Sequence, residues 1–265
     1  PLDFANPPKW HIAHTNVFFE EMILKRFVSD YNPFHVHYSF LFNSYYNTRG
    51  ERTIRANRGN ITRPGVGEIM AYRKHVDFEI KKLLASNQEF ELMKLVEIGI
   101  NHEQQHQELL LTDLKYAFGH NPTFPSYHKD FKPEITYNKS ANWISMKEGV
   151  YEIGHNDEDF CFDNELGRHK VYIHDFEMAN FLVTNGDFIA FIEAAGYENF
   201  NFWLDEGWTW VNEQKIDSPL YWHKINGEWH YYTFAGLQLV DRNAVLSHVS
   251  FYEANAFATW KGMRL

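Results

Sequence analysis

Cysteine is almost missing from this chain: Cys161, in the stretch DFCFDNE, is its one thiol. A lone thiol cannot close an internal disulfide, so the fold must stand on its core, and the expected compartment is the reducing cytoplasm. Basic residues are in the minority, 25 against 35 acidic ones, giving a formal charge of -10. That balance is a poor match for phosphate backbones and anionic lipid, which argues against nucleic acid or a membrane surface as a partner. No apolar run approaches the roughly 18 residues of a spanning helix. The opening PLDFANPPKW also lacks the basic-then-apolar order of a secretory leader. The chain starts at Pro1 without Met and breaks off at ATWKGMRL, and both ends are expected to be incomplete. What it holds in quantity is apolar and aromatic side chains, 44% and 17% of 265 residues, enough for a substantial core.

Two rhythms divide these residues. From about residue 8 to 118 the sequence is written mostly in helical period. PPKWHIAHTNVFFEEMILKRFV opens on prolines suited to a helix start and repeats apolar positions through Trp10, Ala13, Val17 and Ile23. VGEIMAYRKHVDFEIKKLLAS does the same through Ile69, Met70, Val76, Ile80, Leu83 and Leu84. A third segment carries Leu95, Ile98, His102, His106, Leu109, Leu110, Leu114 and Ala117 on one stripe before Gly119 and Pro122 end it. With a shorter helix around HYSFLFNSYYN, these segments predict a helical bundle. Residues 121–142, which include Pro122, Pro125 and Pro133, read as a linker. In 143–265 short runs such as WISMKEGVYEIG, HKVYIHDFEMANF and GEWHYYTF alternate with Gly, Asn and Asp turns, and helical patterns return only in TNGDFIAFIEAAGY and SFYEANAFATWKG. The expected fold class is α+β in two domains.

His102 and His106 stand four residues apart in NHEQQHQELLL. Composition alone would give about one such pair among fifteen histidines, so the spacing decides nothing by itself. On a helix the two rings share a face, about 5–6 Å apart at Cβ, and can reach one cation. On a buried face their nitrogens need partners, because an orphaned polar group costs about 1–3 kcal/mol. A metal, a water or a carboxylate would serve. HEQQH also fits the H-E-x-x-H pattern of zinc peptidases, with Glu103 as the base, but no downstream helix in 121–142 offers a third ligand. Upstream, His14 shares a face with Trp10, Ala13 and Val17, whereas His11 is turned toward the polar side. Two readings of His14 stand side by side: the third ligand of a facial three-histidine site with open positions, or a satisfied core histidine beside Trp10.

The stretches PPKWHIAHTNVFFE, FNSYYN and HEQQHQELLLTD, followed in order by FEMANFLVTNGDFIAFIEAAGY and VSFYEANAFATWKGMRL, resemble the ergothioneine-biosynthesis sulfoxide synthases. The resemblance implies a DinB-like four-helix bundle (1–120), a linker (121–142) and a formylglycine-generating-enzyme-like domain of C-type-lectin fold (143–265), truncated at its C-terminus. It also implies a mononuclear non-haem Fe(II) held by His14, His102 and His106. The implied reaction joins the thiol of cysteine or γ-glutamylcysteine to C2 of hercynine, using O2, with oxidation of the sulfur to a sulfoxide. Neutral imidazoles suit iron, and three on one side leave three cis positions.

The same resemblance marks Tyr45 and Tyr46 as donors of a proton or hydrogen atom, with one of them otherwise a core aromatic. It marks Gln105 as the contact to the substrate imidazole, otherwise a surface amide. The basic run TRGERTIRANRGNITRP suits a carboxylate without singling out one arginine. The family continues past a KGMRL-like segment with strands that build much of the substrate pocket, including aromatic groups around the trimethylammonium. This chain is therefore expected to hold the metal-binding half of the site. An ovothiol-type or selenium-type sister synthase, a DinB-like thiol transferase using zinc, and a non-catalytic binding fragment are the alternatives.

Overall fold

Pro8 is the first residue of α1 (Pro8–Phe18), where a proline is tolerated because a first-turn N–H has no helical partner. The computed structural model that shows this describes residues 5–44, 53–132, 142–156 and 159–265. α1 continues into a π-helical stretch (Phe19–Leu24) and the single turn of α2 (Lys25–Phe27). After α3 (Tyr38–Leu41) and a 3-10 turn (Arg55–Asn60) come two long helices, α4 (Val66–Ser86) and α5 (Phe90–Gly119). The chain forms two compact units: residues up to Tyr116 with Gly154–His169, and Ala117–Ile153 with Lys170–Leu265.

The first unit buries Trp10, Val17, Ile23 and Leu24 of the leading helix against Ile69, Tyr72 and Val76 of α4 and Leu92 and Val96 of α5. Each such side chain stabilises the unit by about 1.5–3 kcal/mol. The stripe on α5 is offset from the sequence expectation: Leu92, Val96, Gly99 and His106 are buried, while Ile98 and Leu109 are exposed. Gly99 is the cause. A Cβ there would lie 2.7 Å from the Phe19 ring, so α5 meets that ring through a residue that a hydrophobic pattern does not register. On α4, Met70 is likewise exposed and Tyr72 is buried. The shorter helix expected around HYSFLFNSYYN is, in its described part, the single turn of α3. Phe42 leaves helical geometry at φ -115°, and its carbonyl accepts a bond from the His14 ring.

The second unit holds three small sheets among the described residues. β1 (Trp143–Met146) pairs antiparallel with β4 (Phe176–Ala179), and β2 (Gly149–Ile153) pairs with β3 (His169–Ile173). β5 (Trp222–Ile225), β6 (Glu228–Thr233) and β7 (Gly236–Leu239) form an antiparallel meander in which Trp222 faces Tyr231 and His230 faces Leu239. Asn226 and Gly227, at φ 51° and 88°, supply the left-handed pair that a tight hairpin requires. Part of the 121–142 segment is held against this meander. Tyr127 and His128 donate backbone N–H groups to the Phe234 carbonyl at 2.9 Å, and the Tyr232 hydroxyl donates to the Pro125 carbonyl at 2.8 Å.

Capping boxes at Thr184 and Ser250 start α6 (Asn185–Glu193) and α8 (Phe251–Trp260), whose Phe188, Phe191 and Phe257 form the core with Tyr197 and Trp203. α7 (Asp205–Gln214) escapes the sequence reading because it buries only Gly207 and Val211, too narrow a stripe to show a period. Gly196, just after α6, has no room for a side chain: a Cβ would overlap the fully buried Phe191 ring. Gly196→Ala is therefore expected to destabilise the unit by about 1–3 kcal/mol. Chemical denaturation with hydrogen exchange read in α6 measures this, and an unchanged stability would show that the ring can give way. No helix among the described residues is long and apolar enough to cross a membrane.

Candidate metal centre

His102 and His106, one turn apart on α5, face the same way, and the side they face is occupied by His14 of α1. One nitrogen from each ring lies within 4.8 Å of the other two. His14 and His106 are 1% and 8% exposed, and His102 is half-buried. Burial penalises a charged imidazole, and each ring adds to its neighbour's penalty. Burial, then His106 and His102, push His14 well below the ordinary histidine value. Burial, then His102 and His11, push His106 down to about 3, and burial also lowers His102. The three rings are neutral near pH 7, each with a lone pair to give.

Hydrogen bonds assign some of those lone pairs. The Phe42 carbonyl, 2.6 Å from His14 Nδ1, can only accept, so His14 donates there and keeps its Nε2 unprotonated. His106 Nδ1 lies 3.0 Å from Nδ1 of His11, whose Nε2 is 3.0 Å from the Asp113 carboxylate. His102 Nδ1 is buried with no hydrogen-bond partner. Three neutral imidazoles, one with an unmet buried nitrogen, fit a divalent transition ion such as iron or zinc, and not calcium or magnesium, which take oxygen.

The wall behind His14 is aromatic and then cationic. Trp10 stacks on His14 at 4.6 Å and an interplanar angle of 15°, and the Arg58 guanidinium lies 3.9 Å over Trp10. Arg58 is buried and donates to Asn6 Oδ1 at 2.8 Å and to Ser44 Oγ at 3.2 Å. Its charge adds to the lowering of both His14 and His106.

Gln105 is exposed on α5, immediately before His106. Tyr45 and Tyr46 lie outside the described residues; Ser44, just before them, accepts from Arg58, as Asn6 does. Glu103 is held by Arg73 of α4, whose Nη1 donates to both carboxylate oxygens at 2.9 Å. His11 corrects the sequence reading: it is 2% exposed, not on a polar side. α1 is enclosed nearly all round, with Thr15 and Asn16 buried beside Ala13 and Val17, so a single-stripe argument fails there. Sequence reasoning also passed over Asp113, and it noted Arg58 only as one member of a basic run. Asp113 stands seven residues after His106, two helical turns along the same face, and that spacing was the available signal.

Residues 128–265 match the family model described as a sulfatase-modifying factor enzyme 1-like domain. The chain belongs to the sulfatase-modifying factor enzyme 1-like family. Among curated proteins, this family member is 29% identical over 168 residues, 63% of its length, to the hercynine oxygenase of Mycolicibacterium thermoresistibile. It is 28% identical over 166 residues, again 63% of its length, to the hercynine oxygenase of Mycobacterium tuberculosis. It is also 27% identical over 154 residues, 53% of its length, to the formylglycine-generating enzyme of Thermomonospora curvata. The matches cover 36%, 38% and 50% of those proteins, so the chain spans well under half the length of the two hercynine oxygenases. The histidine cluster lies outside the segment matched by the sulfatase-modifying factor enzyme 1-like model.

Proposed function

We propose that the first unit is a DinB-like bundle that binds Fe(II) through His14, His102 and His106. We further propose that the chain belongs to an O2-dependent sulfoxide synthase joining a cysteine or γ-glutamylcysteine thiol to C2 of hercynine. The observation that carries this reading is the meeting of three neutral imidazoles from two helices. The similarity to proteins called hercynine oxygenase narrows the substrate. When bound, iron would supply the dioxygen chemistry and hold the thiol as thiolate.

The chain's own residues have distinct parts in this reading. Phe42 and Trp10 fix the His14 ring from two sides, so that its Nε2 keeps one direction. Three neutral ligands leave the charge of the ion uncompensated, and Arg58 adds a further positive charge behind the ring wall. Such a locale favours an anionic thiolate over the neutral thiol. Gln105, with its amide exposed, is the residue we assign to the substrate imidazole. Tyr45 and Tyr46 are the donors of a proton or hydrogen atom.

The test uses the full-length protein, purified anaerobically and loaded with Fe(II). Oxygen consumption is followed with hercynine and either thiol, and products are identified by mass spectrometry. We expect iron-dependent O2 uptake and a product carrying a new carbon–sulfur bond with the sulfur as sulfoxide. Stoichiometric zinc, with no O2 uptake after iron loading, would overturn the proposal.

A further inference from the structure

We infer that His11 and Asp113 form a positioning relay that sets the tautomer of His106 and thereby turns an unprotonated Nε2 toward the metal. The inference rests on the metal site proposed above, but not on the reaction assigned to it.

The direction of each hydrogen bond follows from what each group can give. Asp113 Oδ2 accepts from the backbone N–H of Asn6 at 2.8 Å and from its side-chain amide at 3.3 Å, and lies 3.0 Å from His11 Nε2. A carboxylate has nothing to donate, so His11 Nε2 carries the hydrogen. In the relay His11 donates once, through Nε2, and its Nδ1 is the acceptor. Its neighbour among the described residues is His106 Nδ1, 3.0 Å away, which donates to it. His106 is thus protonated at Nδ1 and bare at Nε2.

A free imidazole side chain prefers the opposite tautomer, which would put a hydrogen on the nitrogen offered to the ion. Water is poorly placed to substitute for His11, because His11 and His106 are 2% and 8% exposed. The arrangement also joins the two helices that supply the ligands: α5 contributes His106 and its anchor Asp113, and α1 contributes His11 and His14. Groups that orient a metal-bound histidine through its second nitrogen typically change metal affinity by about 10–100-fold when removed.

The experiment has two readouts, neither of which is turnover. Ring 15N shifts of the metal-free full chain report the tautomer directly: His106 is expected as Nδ1–H in the parent and shifted toward Nε2–H in His11→Phe. Co(II) titration followed by visible absorption is expected to show affinity weakened about 10–100-fold in His11→Phe and in Asp113→Ala. His11→Gln, whose amide oxygen can accept from His106, is expected to retain more affinity than His11→Phe. Asp113 is only partly buried, so its variant gives the reading even where His11→Phe does not fold. A parent His106 found as Nε2–H, or an Asp113→Ala chain that binds Co(II) like the parent, overturns the relay. An enzyme that binds Co(II) as described but consumes no O2 with hercynine overturns the proposed reaction and leaves the relay standing.

Discussion

His102→Ala is expected to weaken Fe(II) or Co(II) binding by on the order of 100-fold or more, beyond the roughly 10–100-fold typical of an outer-shell change, while the first unit stays folded. A hundredfold corresponds to about 2.8 kcal/mol of binding free energy. His102 is the cleanest of the three histidines to remove. It is half-buried, its Nδ1 has no hydrogen-bond partner, and besides the other histidines its ring meets that of Phe18, 5.3 Å away between centroids. Among the described residues, removing it orphans no hydrogen-bonding group. His14→Ala would instead strip the Phe42 carbonyl of its donor and open a hole beside Trp10, so lost affinity and lost stability would arrive together. Calorimetric titration of the metal-free chain, with metal content after dialysis, decides the matter. A variant that binds one equivalent as tightly as the parent would remove the three-histidine site from consideration.

Glu20→Ala should destabilise the first unit by about 2–5 kcal/mol, the cost of leaving two hydrogen-bond donors unsatisfied. Glu20 is 1% exposed. Its Oε1 accepts from the Tyr31 hydroxyl at 2.8 Å and from the Phe34 backbone N–H at 3.0 Å, and its Oε2 accepts from the Tyr72 hydroxyl at 2.8 Å. Burial and the Glu20 charge push both phenols far above the ordinary tyrosine value, so they stay protonated and remain donors. Alanine would leave the Tyr72 hydroxyl and the Phe34 N–H without an acceptor, each costing about 1–3 kcal/mol, though not additively, while the Tyr31 hydroxyl keeps His75 Nε2 at 3.2 Å. Tyr72→Phe, which removes one donor and keeps the ring, should cost nearer 1 kcal/mol. Because the chain has two compact units, a whole-chain melt would mix their responses. Hydrogen exchange in α1 and α4 isolates the relevant one, and a loss below about 1 kcal/mol for Glu20→Ala would show that water replaces the carboxylate.

Much of the helical unit was readable before any coordinates, because Trp10, Ala13, Val17, Ile69, Val76 and Leu83 repeat at helical spacing and are buried as that spacing implies. For His14, His102 and His106 the spacing offered candidates only, and it was the family resemblance that singled out the three, whose rings the structure brings together. What resisted reading has specific causes. Gly99 supplies the contact point of α5 by having no side chain, which displaced the inferred stripe toward Ile98 and Leu109. His11 was misplaced because α1 has no solvent side at that level. Asp113 and Arg58 are charged residues, which pattern reading sends to the surface. Each instead has buried or partly buried partners that lie far away in the sequence.

The π-helical stretch Phe19–Leu24 changes how the leading helix can vary. Upstream of it, His14 is aimed at α5; within it, Glu20 is aimed at Tyr72 of α4. Such a stretch accommodates one residue more than an α-helical path of the same span, and each α-helical residue turns the axis by about 100°. It therefore acts as a phase shifter between two sets of targets. Deleting one residue from 19–24 would rewind the stretch and rotate one set by about a quarter turn, so the histidine cluster and the acid–phenol cluster could not both survive. Substitutions can alter either cluster separately, but a change of length there trades one for the other.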